Sequence, residues 1–253
     1  MSRRKTGVDL SVVVPCLNEV HNLAGLLRVL AHAAEGYRGE VEVIVVDGGS
    51  TDGTAGGLPP PGAPAPSRPF AALRTLHTAA SRARQMNVGA AAARGRILYF
   101  VHADTRPPLD CLRAVARAVG GGSRLGGYAT EFDPGGRLLR FNAWLTTFNV
   151  LATRGGDQSI FCERDTFRRL GGYDEGMAIM EEYGLLRRAR SAGIAYRLLP
   201  GRTLVSDRKY DGRSWARVQV ANVAAVAMWR GGVETGVIAR AYDAILGRAT
   251  PPS

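Results

Sequence analysis

The chain predicts a single doubly wound α/β domain with a mostly parallel sheet, followed by C-terminal helices. Three observations carry this. A strand, a helix and a second strand follow one another at the head, in the spacing of a right-handed βαβ unit. An unbroken apolar run, Ile97-Leu98-Tyr99-Phe100-Val101, reads as a strand buried on both faces. Strand and helix patterns then alternate to the end, with no internal repeat.

Each element has its own signal. Leu10 to Pro15 is the first strand, halted by its proline, and a helix opens at Asn18 or Glu19. In that helix Leu23, Leu26, Leu27 and Leu30 recur at helical spacing. Val41 to Asp47 is the second strand and ends in a carboxylate, followed by a turn of small and polar residues, Gly48 to Thr54. The insertion 55–69 holds six of the 13 prolines and reads as an extended surface loop. A helical pattern covers Ala80 to Ala93, and the next strand runs from Ile97 towards Asp104 before Pro107-Pro108. Leu109 to Val119 is amphipathic and helical, Tyr128 to Phe132 alternates as a half-exposed strand, and Arg137 to Ala152 reads as helix. Ser159 to Cys162 is a short strand, and Arg164 to Leu170 and Met180 to Ala192 are helices. Ala195 to Leu199 and Leu204 to Ser206 read as two strands, with helices over Ser214 to Trp229 and Val233 to Leu246. The expected organisation is a basic arm at 1–8, the α/β domain at 9–210 and a helical appendage at 211–253.

Bulk properties narrow the function classes. Three cysteines, far apart and without a C-x-x-C pair, argue against a disulfide framework or a zinc site and suit a reducing cytosol. The charged start leads into a strand pattern and not into a signal-peptide apolar region. No apolar run reaches the length of a membrane span, so a cytoplasmic location is expected. A net charge of +11 favours an anionic partner: nucleotide diphosphate, nucleic acid or anionic lipid. The tail Ser214 to Leu246 has three readings: a peripheral contact with an anionic membrane near a lipid acceptor, packing on the domain, or a dimer contact.

The chemistry concentrates at the strand ends. Ligands of open α/β sheets lie at the carboxyl ends of the strands. His102 and Asp104 leave the apolar strand there, one residue apart on the same side of an extended chain. Such a pair can hold a divalent cation, and the cation a diphosphate. The alternative is that Asp104 caps the turn before Pro107. Two oxidoreductase and transferase classes fail here. Gly48, Gly49 and Gly53 do not make the G-x-G-x-x-G of a dinucleotide fold after the first strand, and Pro15 to Glu19 is not the glycine-rich loop of a nucleotidyltransferase. A nucleic-acid binder is suggested by charge alone, without a reader motif.

Six pieces in order are Ser11-Val-Val-Val-Pro-Cys-Leu-Asn-Glu19, Val45-Val-Asp-Gly-Gly-Ser-Thr-Asp-Gly-Thr54, Arg84-Gln-Met-Asn-Val-Gly89, His102-Ala-Asp104, Gly171-Gly-Tyr-Asp-Glu175 and Met180-Glu-Glu182. Together they resemble family 2 glycosyltransferases, nucleotide-sugar-dependent enzymes with one α/β domain of the GT-A type, over roughly residues 9 to 210. Arg82-Ala-Arg84-Gln-Met-Asn87 and Gly156-Asp-Gln158 look like a bacterial subgroup associated with radical-SAM and selenodomain genes.

The resemblance implies an inverting, metal-assisted, hexosyltransferase-like enzyme using a UDP-sugar and Mn²⁺ or Mg²⁺. Its acceptor is a glycan, a lipid or a small molecule. Asp47 would accept from uracil N3–H, beside the first-strand loop with Pro15, Leu17 and Glu19; its other reading is a cap for the Gly48-Gly49 turn. Arg84 reaches phosphate or base, or covers a solvated helix face. Asp104 is the metal ligand. The family has Asp-x-Asp, so His102 departs from it, either as a second ligand or as a hydrogen-bond partner for ribose or phosphate next to Ala103. Glu182 takes the place of the family's catalytic Asp as general base, with Glu181 as a structural or sugar-binding neighbour. Adjacent helical residues diverge by about 100°, so the two should not face one substrate. Asp157 and Gln158 are candidates for sugar hydroxyls. Arg208, within Arg208-Lys209-Tyr210, either neutralises the diphosphate, belongs to a lid, or is a solvated basic run. The rival reading is a degenerate scaffold that binds nucleotide without turnover, motivated by His102 and Glu182.

Overall fold

The computed structural model describes residues 8–58, 69–133, 136–148, 158–206, 210 and 212–247. β1 (Leu10–Cys16) and β2 (Val41–Asp47) are buried over their full length and pair in parallel, so that Cys16 and Asp47 finish side by side. α1 (Val20–Glu35) crosses between them and buries Leu23, Leu26 and Leu30. β3 (Ala72–His77), α2 (Arg82–Ala92), β4 (Ile97–Phe100), the two-residue β5 (Thr105–Arg106) and α3 (Cys111–Gly120) follow. Next come β6 (Leu125–Asp133), α4 (Arg137–Leu145), β7 (Phe161–Glu163), α5 (Arg164–Arg169), α6 (Glu181–Ser191) and β8 (Tyr196–Ser206). α7 (Trp215–Arg230) and α8 (Thr235–Leu246) close the described chain.

The eight strands form one sheet in the order β3-β2-β1-β4-β7-β6-β8-β5. Alternation along each strand splits the core into two layers. Leu10, Val12 and Val14 join α1 and α3 on one face, and Val13 joins α2 on the other, with Ile44 and Val46. Close packing of α2 depends on Gly89, where a Cβ would fall 2.3 Å from Val13 Cγ1.

Two features depart from the sequence reading. β3 was not expected, and it is the outermost strand beyond β2. Only Ala72 and Thr75 of its six residues are buried, so its apolar pattern has no clean period of two. The expected break between two late strands is instead a bulge in the single strand β8. Gly127 pairs with Leu198 and Ala129 with Arg202, and the surplus residues include Pro200, which has no N–H for a ladder, and Gly201 at φ +97°. The sheet is mostly parallel, as expected, and mixed only where β7 runs antiparallel between β4 and β6 and β5 runs antiparallel to β8. β4, β6 and β8 nevertheless share the direction of β1, so their carboxyl ends open on the same edge.

The appendage packs on the domain. α7 and α8 bury Val218, Ala221 and Leu246 between them, and Trp229 with Ile238 covers Met177, Ile179 and Tyr183 just before and within α6. Among the described residues no helix is long and apolar enough to cross a membrane.

Candidate active site

The carboxyl edge is assembled from four segments that the sequence keeps far apart. Cys16, Asp47 and His77 end β1, β2 and β3 abreast. Gln85 of α2 ties the first two together by donating from Nε2 to the carbonyls of Cys16 (2.7 Å) and Val46 (2.8 Å). The β1 and β2 loops are laced across each other. Asn18 N donates to Ser50 Oγ (2.9 Å), Thr51 N to Asn18 Oδ1 (2.9 Å), Glu19 N to Thr54 Oγ1 (2.8 Å) and Val20 N to Asp52 Oδ2 (3.1 Å). α1 is therefore capped by the neighbouring loop, which gives Asp52 a structural task. Glu19 accepts from Asn22 Nδ2 at 2.7 Å, Pro15 is buried in β1, and Leu17 is exposed at the loop tip.

Asp47 is buried and accepts from Gly49 N (3.3 Å) and from the backbone and hydroxyl of Ser50, and its Oδ2 lies 3.4 Å from His77 Nδ1. Burial pushes its pKa up, but the donors of Ser50, Gly49 and His77 outweigh this and hold the carboxyl below its ordinary value. The turn cap anticipated as its other role is thus present. The Cys16 thiol next to it is pushed up to about 12 by burial and by the Asp47 and Glu19 charges, so it stays protonated and is no nucleophile.

α2 supplies two arginines, and both meet carboxylates. Arg84 Nε donates to Glu175 Oε2 (3.1 Å) and Arg82 Nη1 to Glu181 Oε1 (3.4 Å), while Asn87 exchanges bonds with Tyr173 O (2.8 Å) and Tyr173 N (2.9 Å). The Arg84–Asn87 and Gly171–Glu175 pieces are therefore in contact, 86 residues apart at the Asn87–Tyr173 bond.

Glu181 and Glu182 open α6 and are both buried, in the first turn where the helix dipole favours carboxylates. They diverge as helical neighbours must. Glu181 turns to Arg82, whereas Glu182 Oε1 lies 3.7 Å from His102 Nε2 at the end of β4. Tyr173 is buried, and burial, followed by the Glu182 charge, drives its hydroxyl well above its ordinary pKa. Met180, immediately before, holds φ +65°. Asn18 and Ser159 are the other non-glycine residues with positive φ among those described, and both border candidate site residues. Backbone conformations of this kind cost energy and cluster at functional sites.

His102 and Ala103 are buried, and Asp104 is half-buried at the rim. Thr105 fixes their turn by donating from N (3.1 Å) and Oγ1 (2.7 Å) to His102 O. Arg106 is a site neighbour that the sequence did not reveal. Its guanidinium donates to the carbonyls of Ala103 (3.2 Å), Thr105 (2.9 Å) and Asn22 (3.0 Å), and burial lowers its pKa against the opposing Asp104 charge. His77 and Gln85 were missed as well: the first lies on the unexpected β3, and the second carries no charge to mark it. Gln158 is buried at the start of the β7 segment. Asp157 and Arg208 lie outside the described residues.

Among the described residues no group of three or more His, Cys, Asp or Glu is placed to hold a metal. The donor set fits a site completed by substrate: Mg²⁺-type sites take one or two protein carboxylates and fill the remainder with phosphate oxygens and water. Asp104 at the rim meets that description, and an imidazole nearby suits Mn²⁺ better than Mg²⁺.

Residues 11–125 match the family Glycosyl transferase family 2. No curated protein matches the chain. Among solved structures it is similar to S. aureus TarS 1-349 at 17% identity and TM-score 0.57, covering 94% of this chain and 69% of that one. It is similar to the mannosyltransferase PcManGT from Pyrobaculum calidifontis in complex with GDP-Man and Mn²⁺, at 19% identity and TM-score 0.60, covering 86% of this chain and 62% of that one. A third is glucosyl-3-phosphoglycerate synthase from Mycobacterium tuberculosis with phosphoglyceric acid, at 18% identity and TM-score 0.55, covering 98% and 83%. TarS 1-349 is also known with UDP-GlcNAc. The fold is that of a GT-A α/β domain.

Proposed function

We propose that the protein transfers a sugar from a nucleoside diphosphate donor, a UDP-sugar, to an acceptor hydroxyl with inversion at the anomeric carbon. One observation carries this reading: Asp47, Asp104 and the buried Glu182 stand at one sheet edge, joined there by His102, 3.7 Å from Glu182. Asp47 and the Pro15–Glu19 loop bind the base, with Ser50 exchanging its bonds for the ligand's donors. Asp104, with His102 beside it, holds a divalent cation. When bound, that ion neutralises charge on the departing diphosphate. Glu182 takes the proton of the acceptor hydroxyl as the acceptor oxygen bonds to the anomeric carbon. The bond from that carbon to the diphosphate oxygen breaks, and the diphosphate leaves with the electron pair. Gln158 binds the sugar hydroxyls.

Thermal unfolding with UDP or GDP, with and without Mn²⁺, on wild type and Asp104→Ala, tests the reading. Metal-dependent stabilisation by UDP, absent in the variant, supports it. A GDP preference keeps the chemistry and changes the donor. Binding without release of nucleotide from any UDP-sugar favours the degenerate scaffold, and no response to either nucleotide overturns the proposal.

A further inference from the structure

α4 is built the wrong way round for a helix that only packs on a sheet. It buries one residue, Ala143, against Phe132 and Val205, and turns its large apolar side chains outward. Leu138 is 53% exposed, Phe141 49% and Trp144 51%, with Phe148 just beyond the helix at 43%. Positions 138, 141, 144 and 148 fall within one 120° sector at 100° per residue. The rings touch in series, Phe141 on Trp144 at 5.7 Å and Trp144 on Phe148 at 4.6 Å, so they form one ridge and not separate stacking platforms. Contiguous exposed apolar surface of this kind marks an interaction site.

The rim of the ridge is cationic. Arg137 and Arg140 flank it on α4, and Arg202 of β8 joins Arg140 and Trp144 around a cavity of about 530 Å³. None of these three guanidiniums has a hydrogen-bond or ion-pair partner among the described residues. Among the described residues Glu131 is the one carboxylate on the cavity wall. The whole chain carries +11. Aromatic side chains seat at the water–hydrocarbon boundary, and arginines beside them attract anionic headgroups. A second copy would set like-charged rims against each other, which costs energy.

We propose that the outward face of α4, Leu138, Phe141, Trp144 and Phe148 with Arg137, Arg140 and Arg202, docks the protein on an anionic lipid bilayer. The membrane contact is thereby placed on α4, while Trp229 of α7 is used internally on Tyr183.

Sedimentation of the full chain with vesicles tests it, using equal parts phosphatidylglycerol and phosphatidylcholine against phosphatidylcholine alone. The expected result is co-sedimentation with the anionic vesicles and a blue shift of Trp144 emission. Partitioning should drop roughly tenfold or more both on phosphatidylcholine alone and in R137Q/R140Q. F141S/W144S should keep the wild-type unfolding temperature, since both side chains are exposed, and lose the binding. Absence of binding to anionic vesicles at low salt overturns the proposal. So does binding that F141S/W144S leaves intact, or a concentration-dependent dimer abolished by W144S, which would assign the ridge to a second copy. UDP stabilisation measured on the same samples separates failure here from failure of the glycosyl-transfer reading.

Discussion

Two edges of one sheet surround their buried carboxylates with different neighbours. At the amino edge Glu42 is fully buried and saturated: Ser11 Oγ (2.6 Å) and Arg94 N (2.6 Å) donate to Oε1, and Arg74 and Arg94 guanidiniums (3.0 Å each) donate to Oε2. Burial raises its pKa, yet the donors win and the group titrates below its ordinary value. At the carboxyl edge Glu182 is as deeply placed, and its Oε1 lies 3.7 Å from the His102 imidazole. A carboxylate held by two guanidiniums strongly favours its charged form.

Removing each group should separate the two edges. Glu182→Gln is expected to lower kcat by about a thousandfold with the unfolding temperature nearly unchanged, measured by sugar transfer and by thermal unfolding. Glu42→Gln should do the reverse, costing roughly 3 kcal/mol of stability in a urea titration, because two guanidiniums lose a buried partner, with nucleotide affinity preserved in the folded fraction. Equal losses of activity and stability in both variants would erase the distinction.

The pH dependence sharpens it. Folded pKa values below the unfolded ones, at Glu42 and Asp47, contribute stability that is present above about pH 4–5 and lost as pH falls through the lowered folded values. Acid unfolding followed by circular dichroism should therefore steepen below that range, and Glu42→Gln should flatten it. A smaller effect belongs to Gly89→Ala, whose added Cβ meets Val13 and should cost about 2 kcal/mol by overpacking. The smallest is Ser81→Ala, which removes the side-chain cap of Arg84 N at the start of α2 and should cost about 1 kcal/mol, read from the denaturation midpoint.

Most of the fold was legible because strands β1, β2 and β4 are buried on both faces and read as apolar runs, and α1 and α6 keep a strong helical period. β3 was not legible, since an edge strand half in solvent needs no clean alternation. The bulge in β8 was hidden because Pro200-Gly201 signals a break locally, and only the partner strand β6 shows that pairing resumes beyond it.

The site divides along the same line. Sequence order and residue type determined by themselves that Asp47 ends a buried strand, that His102 and Asp104 leave another, and that Glu181 and Glu182 open a helix. Those are local facts of strand run and helix start. Only the tertiary structure decided the partners: Arg82 for Glu181, His102 for Glu182, His77 for Asp47, Arg106 beside Asp104 and Gln85 across the β1 and β2 ends. Each joins residues from separate segments or across a turn, and no sequence periodicity encodes which distant side chain a crossover will deliver to a given lone pair. The outward face of α4 belongs to the same class. Its helical pattern is local, but which side meets the sheet is settled by the small Ala143 fitting against Phe132 and Val205, which leaves the larger rings outside.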